Sequence, residues 1–377
     1  MPGTVSILFT IPNFITAGSG RAMLNIIERL DRTRFSAGVC VSRKGGDLDQ
    51  VVDRLKIPFL EADFTVSPRP YLTLMPRAWR AGRKFRAHGF ALWHSYHYTD
   101  DYTESIIARM SGARAWIYTK KNMGWGSRAW HLRTRFATRV AVQNSDMMKT
   151  FFGNRSYQKK ARALPRGVDT SKFCPQSPPT LGLRASHRIA ADSVVIACVA
   201  QLVPVKGHPT LIQALASVPN AHLLIAGSPQ DRDYTTSLHE RVRELGLGDR
   251  IHFLGGVKEV ASLLAEVDIF VLPTWAKWRM EGCPVALLEA MACGKACVAT
   301  DIPGSRDLVE HERSGLLVAP EDPARMASAL NQLVGSIELR QRLGQAAHQR
   351  VLDHFTLEKE VAAHEAIYDE VMGTLEA

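Results

Sequence analysis

Short apolar runs alternate with stretches of helical periodicity along most of the chain, the pattern of parallel strands covered by helices. Residues 5–12 (VSILFTIP) predict a first strand, followed by the loop 13–20 (NFITAGSG) and a helix over 21–30. Further strands are expected at 37–42, 90–95, 115–119 and 139–145. Residues 167–193, rich in proline and serine, break the periodicity and predict a connection between domains. A second series begins at 194–200 (VVIACVA) and continues with strands over 222–227, 251–255, 268–273 and 296–300. A final helix over 356–372 places Val361, His364, Tyr368 and Val371 on one stripe. At 377 residues the chain exceeds what one hydrophobic core usually serves. The expected fold class is α/β, with two Rossmann-like parallel-sheet domains over 1–168 and 169–355, of which 169–193 includes the linker, and a last helix over 356–377.

The most informative stretch is EGCPVALLEAMACG, bracketed by Glu281 and Glu289. Pro284 suits a first helical position, because its φ is fixed and its missing N–H would have lacked a partner there. Val285 to Cys293 are good helix formers, and Gly294 can adopt the left-handed conformation that closes the helix. Glu281 then stands just ahead of the N-terminus and Glu289 about 7 Å further along the axis. A helix N-terminus attracts phosphate, and carboxylates on either side of a diphosphate could accept hydrogen bonds from sugar hydroxyls. By spacing alone, a buried amphipathic helix is the better account of the two glutamates, since this spacing is common by chance.

Composition narrows the setting. Apolar residues make up 46% and charged residues 22%, as in ordinary globular proteins. The six cysteines form no CxxC pair. Cys293 and Cys297 have the look of metal ligands only until one notes that no histidine lies close to them in sequence. A reduced, cytoplasmic setting follows, with neither a signal peptide nor an apolar run long enough to span a bilayer. Residues 1–170 hold 28 Lys and Arg against 12 Asp and Glu, a net +16, and the remainder hold 19 against 25, a net −6. The basic residues crowd into 76–89 and 127–139, interleaved with Trp79, Phe85, Trp130 and Phe136. Such a face suits an anionic membrane surface or a phosphate-bearing acceptor. Nucleic acid is a competing partner but not the expected one, and solvated helix faces with inward aromatics are the plain alternative.

Gly18 and Gly20 form a glycine-rich loop after the first strand, where a backbone without Cβ atoms can approach a ligand. The spacing lacks the third glycine of a dinucleotide fingerprint, and no Walker A sequence is present.

From Val194 to Leu317 the chain resembles the C-terminal half of the retaining glycosyltransferases of family 4, whose fold is called GT-B. The resemblance rests on VAQLVPVKGHPTLIQAL (199–215), HLLIAGSP (222–229), LGLGDRIHFLGGV (245–257), VDIFVLPT (267–274), EGCPVALLEAMACGKACVATDIPG (281–304) and SGLLV (314–318) in order. The N-terminal half matches less closely. ALPRGVDTSKF (163–173) resembles the family's segment entering the linker, with Arg166 where asparagine is usual.

The resemblance implies two domains facing each other across a cleft and a last helix that crosses back onto the N-terminal domain. In the donor site it assigns Lys206 to the diphosphate, with Gln201 standing where the family has an arginine. Gln201 supplies no charge, so another cation is needed, and Lys120 or Lys121 is a candidate. Glu289 matches the residue that bonds the ribose hydroxyls and Glu281 the one that faces the transferred sugar. Backbone groups of Gly282, Cys283 and Val285 are expected at the distal phosphate and sugar, and those around Gly255 and Val257 at the base. Where the family often carries a histidine, this chain has Lys120-Lys121-Asn122. His94 and His97 are the nearby candidates for the acceptor hydroxyl, His97 the better because it follows an expected strand end.

The implied activity is retaining transfer of a hexose-type sugar from a UDP-, GDP- or ADP-linked donor to an acceptor hydroxyl, on a glycan or lipid-linked acceptor in cell-surface polysaccharide synthesis. It requires no cofactor and no metal, and the enzyme is expected in the cytoplasm or at the inner face of the membrane. A sugar phosphorylase of the same fold and a non-catalytic nucleotide-sugar-binding protein are the alternatives.

Overall fold

In the computed structural model the described residues are 4–15, 17–124, 126–176, 178–277 and 282–376, the side chains of residues 17, 375 and 376 excepted. Glu281 lies outside them. The chain forms two compact units, residues 1–165 with 357–377, and residues 166–356.

The first unit carries seven parallel strands among the described residues. They are β1 (Val5–Ile11), β2 (Phe35–Val41), β3 (Phe59–Glu61), β4 (Leu92–Ser95), β5 (Ala115–Lys120), β6 (Arg139–Val142) and β7 (Ala161–Ala163), in the order β3-β2-β1-β4-β5-β6-β7. Successive β1 residues Ile7, Leu8 and Phe9 are all fully buried, so both faces of the sheet are covered. The second unit holds β8 (Val194–Val199), β9 (Ala221–Ala226), β10 (Ile251–Gly255), β11 (Ile269–Leu272), β12 (Ala296–Thr300) and β13 (Leu316–Val318), in the order β10-β9-β8-β11-β12-β13. Each sheet reverses its strand order once, between β1 and β4 and between β8 and β11. Ligands of such sheets gather beyond the carboxyl ends of the strands at that reversal.

The helix Leu357–Glu376 belongs to the first unit. Val361, His364, Tyr368 and Val371 are all buried. The Tyr368 hydroxyl lies 2.8 Å from His94 Nδ1, and the Tyr96 hydroxyl 3.1 Å from His364 Nε2. Glu370 accepts from Arg139 at 2.9 Å and also from Arg162.

Two local expectations change, and two acidic spacings find a structural role. The helix Ala17–Arg29 begins earlier than the glycines implied, so Gly18 and Gly20 stand in its first turn and not in a loop. A Cβ on Gly20 would lie 2.6 Å from Phe14 Cδ1, which explains why a glycine is needed inside that turn. The aromatics of the two basic stretches also do not share one face. Phe85 and Trp130 point into the core and Arg133 is 1% exposed, whereas Trp79 is 46% exposed. Finally, two Asp-x-Asp spacings occur, Asp47-Leu48-Asp49 and Asp231-Arg232-Asp233, and both mark helix starts. Asp49 accepts from Gly45 N–H at 2.6 Å, and Asp231 caps its helix by accepting from Tyr234 N–H at 3.0 Å.

Candidate functional site

In the second unit the loops after β8, β9, β10, β11 and β12 all leave the same edge of the sheet. The loop after β8 carries Gln201, exposed, and Lys206 in a short turn, Pro204–Lys206. Gly207 ends that turn at φ 70°, and a Cβ there would lie 2.0 Å from the Pro273 carbonyl oxygen. Trp275 N–H donates to Val205 O at 2.8 Å, which ties the β8 loop to the β11 loop at the strand-order reversal. Lys206 thus stands at the strand-order reversal of the sheet. Burial lowers its ammonium to about 8, opposed by the Cys198 thiol. Burial, with Lys206 nearby, lowers His208 to about 4, so this imidazole is neutral near pH 7.

Beside it, Gly227 N–H donates to Gly255 O at 2.7 Å and Leu202 N–H to Ser228 O at 3.2 Å. Gly255 has φ 65°, and a Cβ on Gly227 would lie 1.8 Å from Ala200 O. Gly227 is thus required by a close backbone approach, whereas the space around Gly255 is open and only its left-handed φ favours glycine.

The helix Val285–Ala292 follows the β11 loop and starts one residue later than Pro284 predicted. Pro284 caps it with an extended backbone, and its carbonyl accepts from Leu287 and Leu288 at 3.1 and 3.2 Å. The first helical N–H groups, of Val285 and Ala286, have no acceptor within the helix. Gly294, at φ 69°, closes the far end as its sequence position implies. Gly304 packs on the loop before this helix, since a Cβ there would lie 2.8 Å from Gly282 O. The Thr300 hydroxyl donates to Thr274 O at 2.6 Å.

Glu289 stands on this helix, partly buried. Burial pushes its carboxyl up to about 7, and Lys172 and Arg166 pull it the other way. Sequence reasoning marked Arg166 as an altered position but missed that it and Lys172 form the electrostatic surroundings of Glu289. The asparagine-to-arginine exchange was the available signal.

In the first unit, His97 follows β4, Lys120 ends β5 and Lys121 comes directly after it. Burial, Arg133 and Lys121 lower His97 to about 3, so its imidazole is neutral. Its ring meets Phe64 edge-on at 5.6 Å. Lys121 Nζ donates to Tyr96 O at 2.5 Å and sits 4.7 Å from the Tyr96 ring. Lys120 is 1% exposed and donates to Asn122 O at 2.9 Å and to Gly124 O. Burial and Arg133 lower its ammonium to about 7. His94 is 1% exposed, and its second nitrogen meets Thr119 Oγ1 at 2.9 Å, so both ring nitrogens are engaged inside the core. His97 and Lys121 thus stay nearer the surface than His94 and Lys120.

Beneath His97 lies a buried cluster that no sequence signal announced. Glu104 accepts from Thr10 and Ser95 hydroxyls at 2.5 and 2.6 Å, and its Oε2 is 3.7 Å from Arg133. Burial raises the Glu104 carboxyl, while Arg133 and the two hydroxyls lower it. Arg133 also donates to Asp101 O at 2.6 Å, pinning the segment after His97.

Residues 182–350 match the family model of glycosyl transferases group 1. The GDP-mannose-dependent alpha-(1-6)-phosphatidylinositol monomannoside mannosyltransferase of Mycobacterium tuberculosis is 31% identical over 198 residues, which are 50% of this chain and 50% of that protein. The chain therefore aligns with about half the length of the curated relatives it matches. Among solved structures, a glycosyltransferase from Rickettsia africae ESF-5 superposes with a TM-score of 0.86 at 17% identity, over 98% of this chain and 99% of that one. Anabaena Alr3699/HepE in complex with UDP-glucose gives 0.80 at 23% identity, over 97% and 99%. These likenesses, with the two parallel sheets, make the fold GT-B.

Proposed function

From residues 182–350, which belong to the glycosyl transferases group 1 family, we propose that this chain is a retaining glycosyltransferase acting on a nucleoside-diphosphate sugar. The observation that carries the proposal is the convergence of Lys206, the backbone turns at Gly227 and Gly255, and the Val285–Ala292 helix beyond one edge of the sheet, at its order reversal. Lys206 and the helix N-terminus stabilise the diphosphate, and Glu289 accepts hydrogen bonds from the ribose hydroxyls. Glu281 is assigned to the transferred sugar by its place in the motif alone. Backbone around Gly255 and Val257 meets the base.

The acceptor hydroxyl attacks the anomeric carbon from the face the diphosphate leaves. The bond from that carbon to the phosphate oxygen breaks, the new glycosidic bond forms, and the hydroxyl proton passes to the departing diphosphate. Positioning and charge stabilisation supply most of the acceleration. Lys206 and helix N–H groups serve in place of a cation, so the scheme needs no metal. His97, neutral and beside Lys121, is the residue proposed to orient the acceptor, a glycan or lipid-linked hydroxyl compound.

UDP-glucose and GDP-mannose are the first donors to test, since each appears with a similar protein. Glu289→Ala should abolish turnover of the accepted donor while the protein keeps its melting transition; near-normal rates would remove the core of the proposal. Gln201 favours one second reading, a protein that binds nucleotide sugars without transferring them. Measurable nucleotide binding with neither transfer nor hydrolysis would establish that reading instead.

A further inference from the structure

A 36-residue acid-free stretch of the first unit leads to a surface that the transfer chemistry does not use. From Phe64 to Thr99 there is no Asp or Glu, while Arg69, Arg77, Arg80, Arg83, Lys84 and Arg86 are all present. Most of them lie on a helix, Leu74–Arg86, which follows a short turn at Tyr71–Thr73. Pro76 is tolerated in that helix because it stands in the first turn, where an N–H would lack a partner.

The helix has two apolar faces. Leu74, Ala78, Ala81, Gly82 and Phe85 recur at helical spacing and are buried against the unit. Met75 and Trp79, about 100° further round the helix, point the other way and are 50% and 46% exposed. Tyr71 and Leu72, in the preceding turn, are 65% and 96% exposed. Single exposed apolar side chains are commonplace. Here four of the nine large apolar side chains exposed among the described residues fall within one nine-residue stretch. The Arg83 guanidinium lies 4.9 Å from the Trp79 ring centre, so a cation borders the apolar face directly.

We propose that this segment docks the first unit on an anionic lipid surface, with Tyr71, Leu72, Met75 and Trp79 entering the headgroup boundary and the flanking arginines and Lys84 engaging lipid phosphates. Charge complementarity selects the occupant, since six cations with no acidic neighbour in sequence match an anionic leaflet. The aliphatic tips favour lipid over nucleic acid, because Leu72 and Met75 offer no donor or acceptor to a base edge. No helix among the described residues is long and apolar enough to cross a membrane, so the contact is an interfacial one. The segment joins β3 to β4, and in a parallel sheet such a crossover helix begins near the carboxyl ends of the strands. His97 and Lys121 follow β4 and β5 on that same edge of the unit. A lipid surface held at Tyr71 and Leu72 therefore lies on the edge where a lipid-borne acceptor would be presented.

The test is sedimentation of the full chain with vesicles of phosphatidylcholine alone and of phosphatidylcholine with about one third phosphatidylglycerol, at low and high salt. The protein should bind the anionic vesicles at low salt, release substantially at high salt, and ignore the neutral ones. Leu72→Glu with Trp79→Glu should lower the bound fraction at least about tenfold, and Arg80→Glu with Arg83→Glu should do the same. All four residues are exposed and none belongs to the proposed donor site, so melting temperature and nucleotide-sugar binding should stay at their starting values in both variants. Absence of binding to anionic vesicles at low salt, equal binding to neutral ones, or indifference to either pair of substitutions overturns the proposal. So does a concentration-dependent dimer that the Leu72/Trp79 variant dissolves without any vesicle binding, which would make a second copy the occupant. Donor binding is measured separately, so failure here and failure of the transferase reading are distinguishable.

Discussion

Replacing Glu289 with glutamine removes a charge while keeping the shape of the side chain, and its effect can be worked out from the geometry. The carboxyl, ordinarily near 4.5, is pushed up to about 7 by burial against the pull of Lys172 and Arg166. A ribose diol donates hydrogen bonds best to the ionised form. The ionised fraction rises from about one tenth at pH 6 to about nine tenths at pH 8, so nucleotide-sugar affinity through this group should rise roughly tenfold, or about 1.4 kcal/mol. Lys206, lowered to about 8, adds the opposite limb, because its charge is lost as pH rises further. Wild-type affinity should therefore pass through a maximum between these values, and Glu289→Gln should keep only the alkaline decline. Calorimetric titration with UDP-glucose or GDP-mannose suits the measurement, since the phosphodiester-like diphosphate of a nucleotide sugar has no terminal phosphate group that titrates near pH 6. Stability should move the other way. A raised carboxyl favours the fold fully below 4.5, and that contribution is lost as pH rises through about 7. The amide has no such loss, so Glu289→Gln should melt higher than wild type at pH 8, by a ceiling of about 3 kcal/mol. An unchanged acid limb in the variant, or a lower melting point at pH 8, would refute the placement of Glu289 as a partly buried carboxylate that meets the ribose.

Gly207→Ala should cost about 2–4 kcal/mol, read as a fall in melting temperature, because it combines a left-handed backbone with a Cβ 2.0 Å from Pro273 O. Arg133→Ala leaves Glu104 buried without its counter-charge and should destabilise the first unit by about 3–5 kcal/mol in denaturant titrations, whereas Arg135→Ala, at an exposed position, should change little. His97 should show flat imidazole chemical shifts between about pH 5 and pH 8, since it charges only near 3. Glu370→Gln loses partly exposed contacts to Arg139 and Arg162 and should weaken the docking of the last helix by no more than about 1 kcal/mol.

Both sheets were legible because their strands are short apolar runs between turn-forming residues, and the β8 to β12 strands fall within a residue or two of the expected positions. The strands β3, β7 and β13 are three residues long, too short to display a period, and were not anticipated as strands. The donor-side motif was legible for a different reason: Gly207, Gly227, Gly294 and Gly304 are demanded by backbone geometry, so the sequence records the turns as glycines. The basic stretches could not be resolved in advance. Trp79, Phe85 and Trp130 sit in similar Arg-rich text, yet only packing decides that Phe85 and Trp130 face inward and Trp79 outward. Arg133 shows the same limit more sharply, because an arginine on a helix reads as solvated until Glu104, Ser95 and Asp101 are brought around it by the fold. The Arg166 and Lys172 surroundings of Glu289 depend on chain segments more than a hundred residues apart.

The division of the chain has a bearing on how it is made. The second unit is one continuous stretch, 166–356, while the first is split between 1–165 and 357–377. Emerging from a ribosome, the residues synthesised first must wait, because the core around Phe9, His94 and Tyr96 lacks Tyr368 and His364 until the last helix appears. The usual order, in which the N-terminal domain matures ahead of its successor, is reversed: the second unit can close while the first still has an open flank. A chain stopped after Thr356 would carry a finished 166–356 unit beside an unfinished partner, with buried His94 and Phe9 exposed to solvent.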